Sequence, residues 1–125
     1  MHMDTQMILS QADSRPIYVQ IMDEITRRVA LDDWPAGTRL PSIRELASQL
    51  KVSVITVKRA YLELERAGVI VTQQGRGSFV NDQQRTEDVR DQELERYLEN
   101  AARLARSMGW SYEDLAQALR EQFEP

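Results

Sequence analysis

Leu40-Pro41-Ser42-Ile43-Arg44-Glu45-Leu46-Ala47, followed shortly by Ser53-Val54-Ile55-Thr56-Val57-Lys58-Arg59-Ala60-Tyr61, decides how this chain reads. Ser42 and Glu45 have the Ser-x-x-Glu spacing of a capping box, in which each side chain satisfies a free backbone N–H at a helix start. The short helix that follows puts Ile43, Leu46, Ala47 and Leu50 on its inner face. Lys51-Val52 forms a turn. Ser53 is a good cap for a further helix running to Ala67, with Val57, Ala60, Tyr61 and Leu64 at core spacing. Gly68 supplies the left-handed residue that ends it.

Working outward, Pro16 can open an earlier helix, because a first-turn residue does not need its N–H. Ile17, Ile21, Ile25 and Val29 repeat at i+4 along it, with Met22 beside them. Trp34-Pro35-Ala36-Gly37 breaks that helix. Downstream, Val69-Ile70-Val71-Thr72 and Ser78-Phe79-Val80 are extended runs around Gln73-Gln74-Gly75-Arg76-Gly77, which reads as a hairpin. A polar, charged linker is predicted from Asn81 to about Asp91. Leu94, Tyr97, Leu98, Ala101, Leu104, Ala105 and Met108 then step by three and four through a long amphipathic helix ended by Gly109. Ser111 to Asp114 looks like a second acidic-capped start, and Tyr112, Leu115, Ala116, Leu119 and Phe123 continue at helical spacing, giving an αα-hairpin. The predicted fold is mainly α with a small β-hairpin. It comprises a flexible N-terminal arm (1–13), a winged helix-turn-helix (14–80) and a two-helix tail (81–125).

The chain has 125 residues, enough for one domain or a small domain with an appendage. Its 16 Lys+Arg and 20 Asp+Glu give a net charge of -4, not the basic excess usual for a nucleic-acid binder. Residues 15–80, however, carry ten Lys+Arg against seven Asp+Glu, and residues 81–125 carry six against eleven. A basic body followed by an acidic tail hints at a nucleic-acid-facing region. There is no Cys, and the one His is His2, so a disulfide framework, a cysteine nucleophile and a Cys or His metal cluster are excluded. Asp32-Asp33 lacks a third ligand or a base nearby and reads as a surface loop. Gly75-Arg76-Gly77 lacks the further glycines of a phosphate cradle. No catalytic constellation, metal site or cofactor is expected. The acidic residues of 87–99 alternate with arginines and read as a salt-bridged helix face. No apolar run reaches membrane-spanning length and no leader stands at the start, so no membrane partner and a cytoplasmic location are expected.

In a winged helix-turn-helix the third helix enters the major groove with its first residues facing base edges. With Val57 and Ala60 turned to the core, Ser53, Val54, Ile55, Thr56, Lys58 and Arg59 face more or less outward. Ser53 and Thr56 can cap the helix, donate to DNA, or do both. Lys58 and Arg59 suit phosphate oxygens or guanine, or else pair with a carboxylate such as Glu63. Val54 and Ile55 either meet thymine methyls, which apolar side chains read in the major groove, or one of them packs inward. Arg44 lies in the first turn of the preceding helix, where a helix N-terminus already favours phosphate. Gly75 and Gly77 let the hairpin backbone pass close to another surface, and Arg76 between them can reach a phosphate or a narrow minor groove.

The 40–47 stretch, Val52-Ser53 with Thr56-Val57, and Tyr61 to Gly68 together resemble the DNA-binding domain of GntR-family bacterial transcription regulators, and Gln74 to Val80 resembles their wing. The short tail resembles the YtrA-type subfamily, whose tail serves dimerisation. The resemblance implies a homodimer bound to double-stranded operator DNA, usually a repressor and often near transporter genes. It also implies DNA contacts at Arg44, Ser53, Thr56, Lys58, Gly75, Arg76 and Gly77. The chain departs from the family at Val54, where many members place Arg or Asn, which implies a different operator. Independently, Leu94, Tyr97, Leu98, Ala101, Leu104, Leu115, Leu119 and Phe123 give the tail more apolar face than two helices can bury; either a second copy completes a bundle or the tail folds back on its own head. The competing expectation is a winged-helix protein-interaction module. A small-molecule effector beside Trp34, Trp110 or Tyr112 is a further possibility.

Overall fold

The computed structural model describes residues 14–124. The arm expected over 1–13 lies outside them. The element order is α1 (Ile17–Ala30), α2 (Ile43–Leu50), α3 (Val54–Arg66), β1 (Ile70–Gln73), β2 (Gly77–Val80), α4 (Gln83–Ser107) and α5 (Tyr112–Phe123). The chain divides into two compact units, one ending at Arg90 and one beginning at Asp91, with the division inside α4.

The first unit is built on α3, which packs on both α1 and α2. The i+4 stripe of α1 puts Ile21, Ile25 and Val29 into the core. There they meet Leu46 and Ala47 of α2, and Val57, Ala60, Tyr61 and Leu64 of α3. The capping box at Ser42 and Glu45 forms as the sequence predicts. α2 ends at Lys51, which takes the left-handed conformation at φ +56°. A residue with a Cβ rarely adopts that conformation; here it makes the sharp turn from α2 into α3.

The hairpin is antiparallel, with Ile70 opposite Val80 and Gln73 opposite Gly77. The structure adds a third segment that the sequence reading missed. Residues 37–40 run along the other edge of β2: Gly37 N–H donates to Val80 O at 2.9 Å, Val80 N–H to Thr38 O at 2.8 Å, and Leu40 N–H to Ser78 O at 2.9 Å. Arg39 thereby stands opposite Phe79. The backbone N–H and C=O groups along that edge of β2 need partners, and this run supplies them.

The linker predicted over 81–91 is a correction: from Gln83 onward it is helix. Two things outweigh its polarity. Asp82 caps the start by accepting the Arg85 N–H at 3.0 Å. Thr86 and Val89 are buried, and Val89 joins the core of the first unit. A single apolar residue among charges leaves little periodic signal, so the sequence hid this stretch.

In the second unit α4 and α5 are joined by a tight turn. Gly109 takes φ +77°, and the Trp110 N–H donates back to Ala105 O at 2.9 Å. A second capping box, Ser111 with Asp114, starts α5. This helix pair has no core of its own: Ala105 is buried, whereas α5 buries no residue. The charge alternation along α4 yields one ion pair among the described residues, Arg96 with Glu93 at 2.8 Å. The predicted salt-bridged face is thus sparser than its sequence suggests.

Candidate nucleic-acid interface

The start of α3 is organised by Ser53. Its Oγ accepts the Thr56 N–H at 3.1 Å and shares a 2.7 Å hydrogen bond with the Thr56 hydroxyl. The two hydroxyls named as DNA donors are thus already engaged with each other. Ile55 is 79 % exposed and faces outward, whereas Val54 is 40 % exposed and partly covered. Lys58 is exposed one turn on. Glu63, the alternative partner for Lys58 and Arg59, is instead bound by Arg66 at 2.8 Å. Arg59 lies with its guanidinium 4.1 Å from the centre of the Tyr18 ring, a cation–π contact that ties α3 to α1. No local pattern announces that pairing, because the two residues stand far apart in the chain.

The start of α2 is held against α3. The Tyr61 hydroxyl donates to Pro41 O at 2.7 Å. Burial pushes the Tyr61 phenol well above its ordinary range, and the nearby Glu45 charge adds to this. Glu45 accepts the Ser42 N–H at 3.2 Å. Its carboxyl is held below its ordinary value by the Ser42 hydrogen bonds, side chain first and backbone second, with the Arg39 charge contributing. Arg44 sits in this first turn, exposed.

The wing turns through Gly75 at φ +77° and Gly77 at φ +120°, and the Arg76 N–H donates to Gln73 O at 2.9 Å. Arg76 is exposed between them. A Cβ on Gly77 would stand 3.2 Å from the Arg39 Nε, so the Arg39 side chain lies across the base of the wing. The same residue acts electrostatically on Glu45, which links the wing to the start of α2. Sequence reasoning missed Arg39; the signal available was a cation directly before Leu40-Pro41-Ser42.

The cations of residues 15–80 fall into two sets. Arg15 pairs with Asp23, Arg27 and Arg28 with Glu24, and Arg66 with Glu63. Burial of Glu24 opposes its charge, yet the hydrogen bonds and charges of Arg27 and Arg28 outweigh this and lower its pKa. Arg39, Arg44, Lys51, Lys58 and Arg76 form no ion pair among the described residues and are exposed. This second set comes from the start of α2, the turn, the first turns of α3 and the wing. Arg28 also stacks over Trp34 at 5.3 Å.

On the tail, Leu94, Tyr97, Leu98, Ala101, Leu104, Leu119 and Phe123 are exposed and Leu115 is half-buried; Phe123 reaches 84 % exposure. Trp110 and Tyr112 are exposed as well, and Trp34 is buried in the first unit. Beside Trp34 a cavity of about 350 Å³ opens, lined in part by Asp32, Thr86, Glu87 and Arg90. Among the described residues no buried side-chain polar atom lacks a partner.

Residues 17–80 match the bacterial regulatory proteins of the gntR family. The HTH-type transcriptional regulator YhcF of Bacillus subtilis is 32 % identical over 108 residues, 86 % of this chain and 89 % of YhcF. The HTH-type transcriptional repressor YtrA of the same organism is 40 % identical over 73 residues, 58 % of this chain and 56 % of YtrA. Among solved structures, a GntR family transcriptional regulator from Listeria monocytogenes superposes with a TM-score of 0.77 at 33 % identity, over 87 % of this chain and 96 % of the other. No helix among the described residues is long and apolar enough to cross a membrane. In sequence and in fold, the chain belongs to the GntR family of bacterial regulatory proteins and is a DNA-binding transcriptional regulator rather than an enzyme.

Proposed function

We propose that the protein is a cytoplasmic homodimeric repressor of a pseudo-palindromic operator. Residues 14–80 bind DNA and residues 81–125 pair two copies. The start of α3, from Ser53 to Lys58, enters the major groove; Arg44 and the N-terminus of α2 meet a phosphate; Gly75-Arg76-Gly77 lies on the adjacent backbone or in a narrow minor groove. Arg39 and Lys51 join these cations. The observation that carries this reading is the set of exposed cations that form no ion pair among the described residues at the start of α2, the start of α3 and the wing, while cations elsewhere in residues 15–80 are paired or stacked. Phosphate oxygens are the counter-charges such a set fits. Repression is supported by the function named for YtrA. Dimerisation is supported by the uncovered apolar tail.

The test is selection of bound fragments from genomic DNA, followed by footprinting of the enriched sequence. Two protected half-sites related by a dyad, about 34–36 Å apart or at a multiple of that, are expected. Absence of any enriched sequence would favour a protein-interaction module instead.

A further inference from the structure

We infer that Val54 and Ile55 read the 5-methyl groups of thymine, so that each half-site carries thymine where the first turn of α3 meets the major groove. The inference rests on the operator-binding reading above and adds the base chemistry that the site selects.

Hydrogen-bonding side chains usually do most of the reading at such a helix start, but here they are occupied. The Ser53 Oγ holds the Thr56 N–H and the Thr56 hydroxyl, which leaves one hydroxyl hydrogen between the two. Arg59 lies over Tyr18. The groups of this turn that remain uncommitted are two β-branched hydrocarbons, 40 % and 79 % exposed, with Lys58 beyond them. Water is a poor neighbour for their exposed surface, and β-branching lowers helix propensity, so neither side chain is there to favour the helix. Thymine is the one base that presents a methyl group in the major groove. The unpaired cations around this turn supply the attraction that would bring a duplex onto it. The two side chains are also stiff at χ1, so they lose little freedom on contact and present a fixed apolar shape.

The experiment uses the full chain and the duplex enriched by selection. Each thymine of one half-site is replaced in turn by deoxyuridine, which removes the methyl and leaves base pairing intact. Affinity is measured at fixed salt for the parent, Val54→Ala and Ile55→Ala. One or two positions are expected to weaken the parent about three- to fivefold each, the worth of one buried methyl-sized group. The same replacements should cost Ile55→Ala or Val54→Ala nothing. Both residues are exposed, and an unchanged thermal midpoint verifies that the variants fold. If no replacement weakens the parent while Lys58→Ala and Arg76→Ala do, the methyl reading fails and operator binding stands. If no duplex is enriched at all, both fail.

Discussion

The Tyr61 hydroxyl of α3 donates to the Pro41 carbonyl just ahead of α2, at 2.7 Å. The ring of Tyr61 is buried in the core, and its polar tip ends on the residue that precedes the Ser42 capping box. This one bond fixes the start of α2 relative to α3 and so sets where Arg44 stands relative to Lys58. Tyr61→Phe should lower stability by about 1 kcal/mol, the net worth of a typical intramolecular hydrogen bond. It should also weaken operator binding although Tyr61 is buried away from the exposed first turn of α3. Urea unfolding and a binding isotherm on the same variant check both; unchanged affinity would show that Arg44 is placed by other contacts.

Acid should destabilise the protein through Glu24 and Glu45. Both carboxyls are held below their ordinary value of 4.5 in the folded state. A group with a depressed folded pKa contributes stability that is fully present above its unfolded pKa and is lost as pH falls through the folded one. Stability should therefore hold from neutral pH down to the mid-fours and decline below. Glu24→Gln removes the ion pairs to Arg27 and Arg28. It should be less stable than the parent at pH 7, and the gap should close as pH falls through the folded-state pKa of Glu24 and the carboxyl becomes protonated in both states. Denaturation midpoints measured from pH 7 downwards decide the matter.

Gly77→Ala should disorder the wing. Two costs add: the φ of +120° disfavours any Cβ, and the new Cβ would stand 3.2 Å from the Arg39 Nε. About 1–3 kcal/mol of local strain is expected, read as faster hydrogen exchange in residues 70–80. The double variant with Arg39→Ala should recover only the part due to the contact. Full recovery would show that the backbone conformation carries no cost of its own.

How much of this was legible beforehand depended on whether a residue's partner was near in sequence. The capping box at Ser42, the acidic-capped helix start at Ser111 and the stripe of Ile21, Ile25 and Val29 are local patterns, and they formed as read, with a capping box at Ser111 as well. The Arg59–Tyr18 stack and the pairing of residues 37–40 with β2 join stretches distant in the chain, and no local pattern announces them. Val89 is the intermediate case: its burial is real, but a lone valine among charges reads as linker. For the interface, the residue types were legible. What the sequence could not tell was which hydroxyls and cations the fold would use up internally.

Salt should separate working cations from structural ones. Each phosphate neutralised adds about 0.9 to the log–log slope of affinity against salt. Each substitution is present in both copies of the proposed dimer, so Lys58→Ala and Arg76→Ala should each lower the slope on the full operator by about 1.8, twice that amount. Arg66→Ala, whose guanidinium is held by Glu63, should leave it unchanged. Arg59→Ala should lower stability by about 0.5–1 kcal/mol through loss of the Tyr18 stack, with little change in slope. Equal slopes for all four variants would refute the division into free and occupied cations.

The tail should fail as a dimer contact before it fails as a fold. α5 buries none of its residues within the chain, and Leu98 on α4 is 53 % exposed. A charge at Leu98 therefore disturbs no internal core. Its effect falls on whatever covers that face, because burying an unpaired carboxylate is costly. Leu98→Glu should leave the first unit folded, and should shift sedimentation from dimer to monomer at micromolar concentration, with the thermal midpoint falling only by what association contributes. Operator affinity should drop by about 100-fold or more, since two half-sites bound through one dimer gain an effective concentration that separate monomers lack. Affinity for a single half-site should stay close to the parent value. If Leu98→Glu still sediments as a dimer and binds the full operator normally, the two copies meet through a different surface.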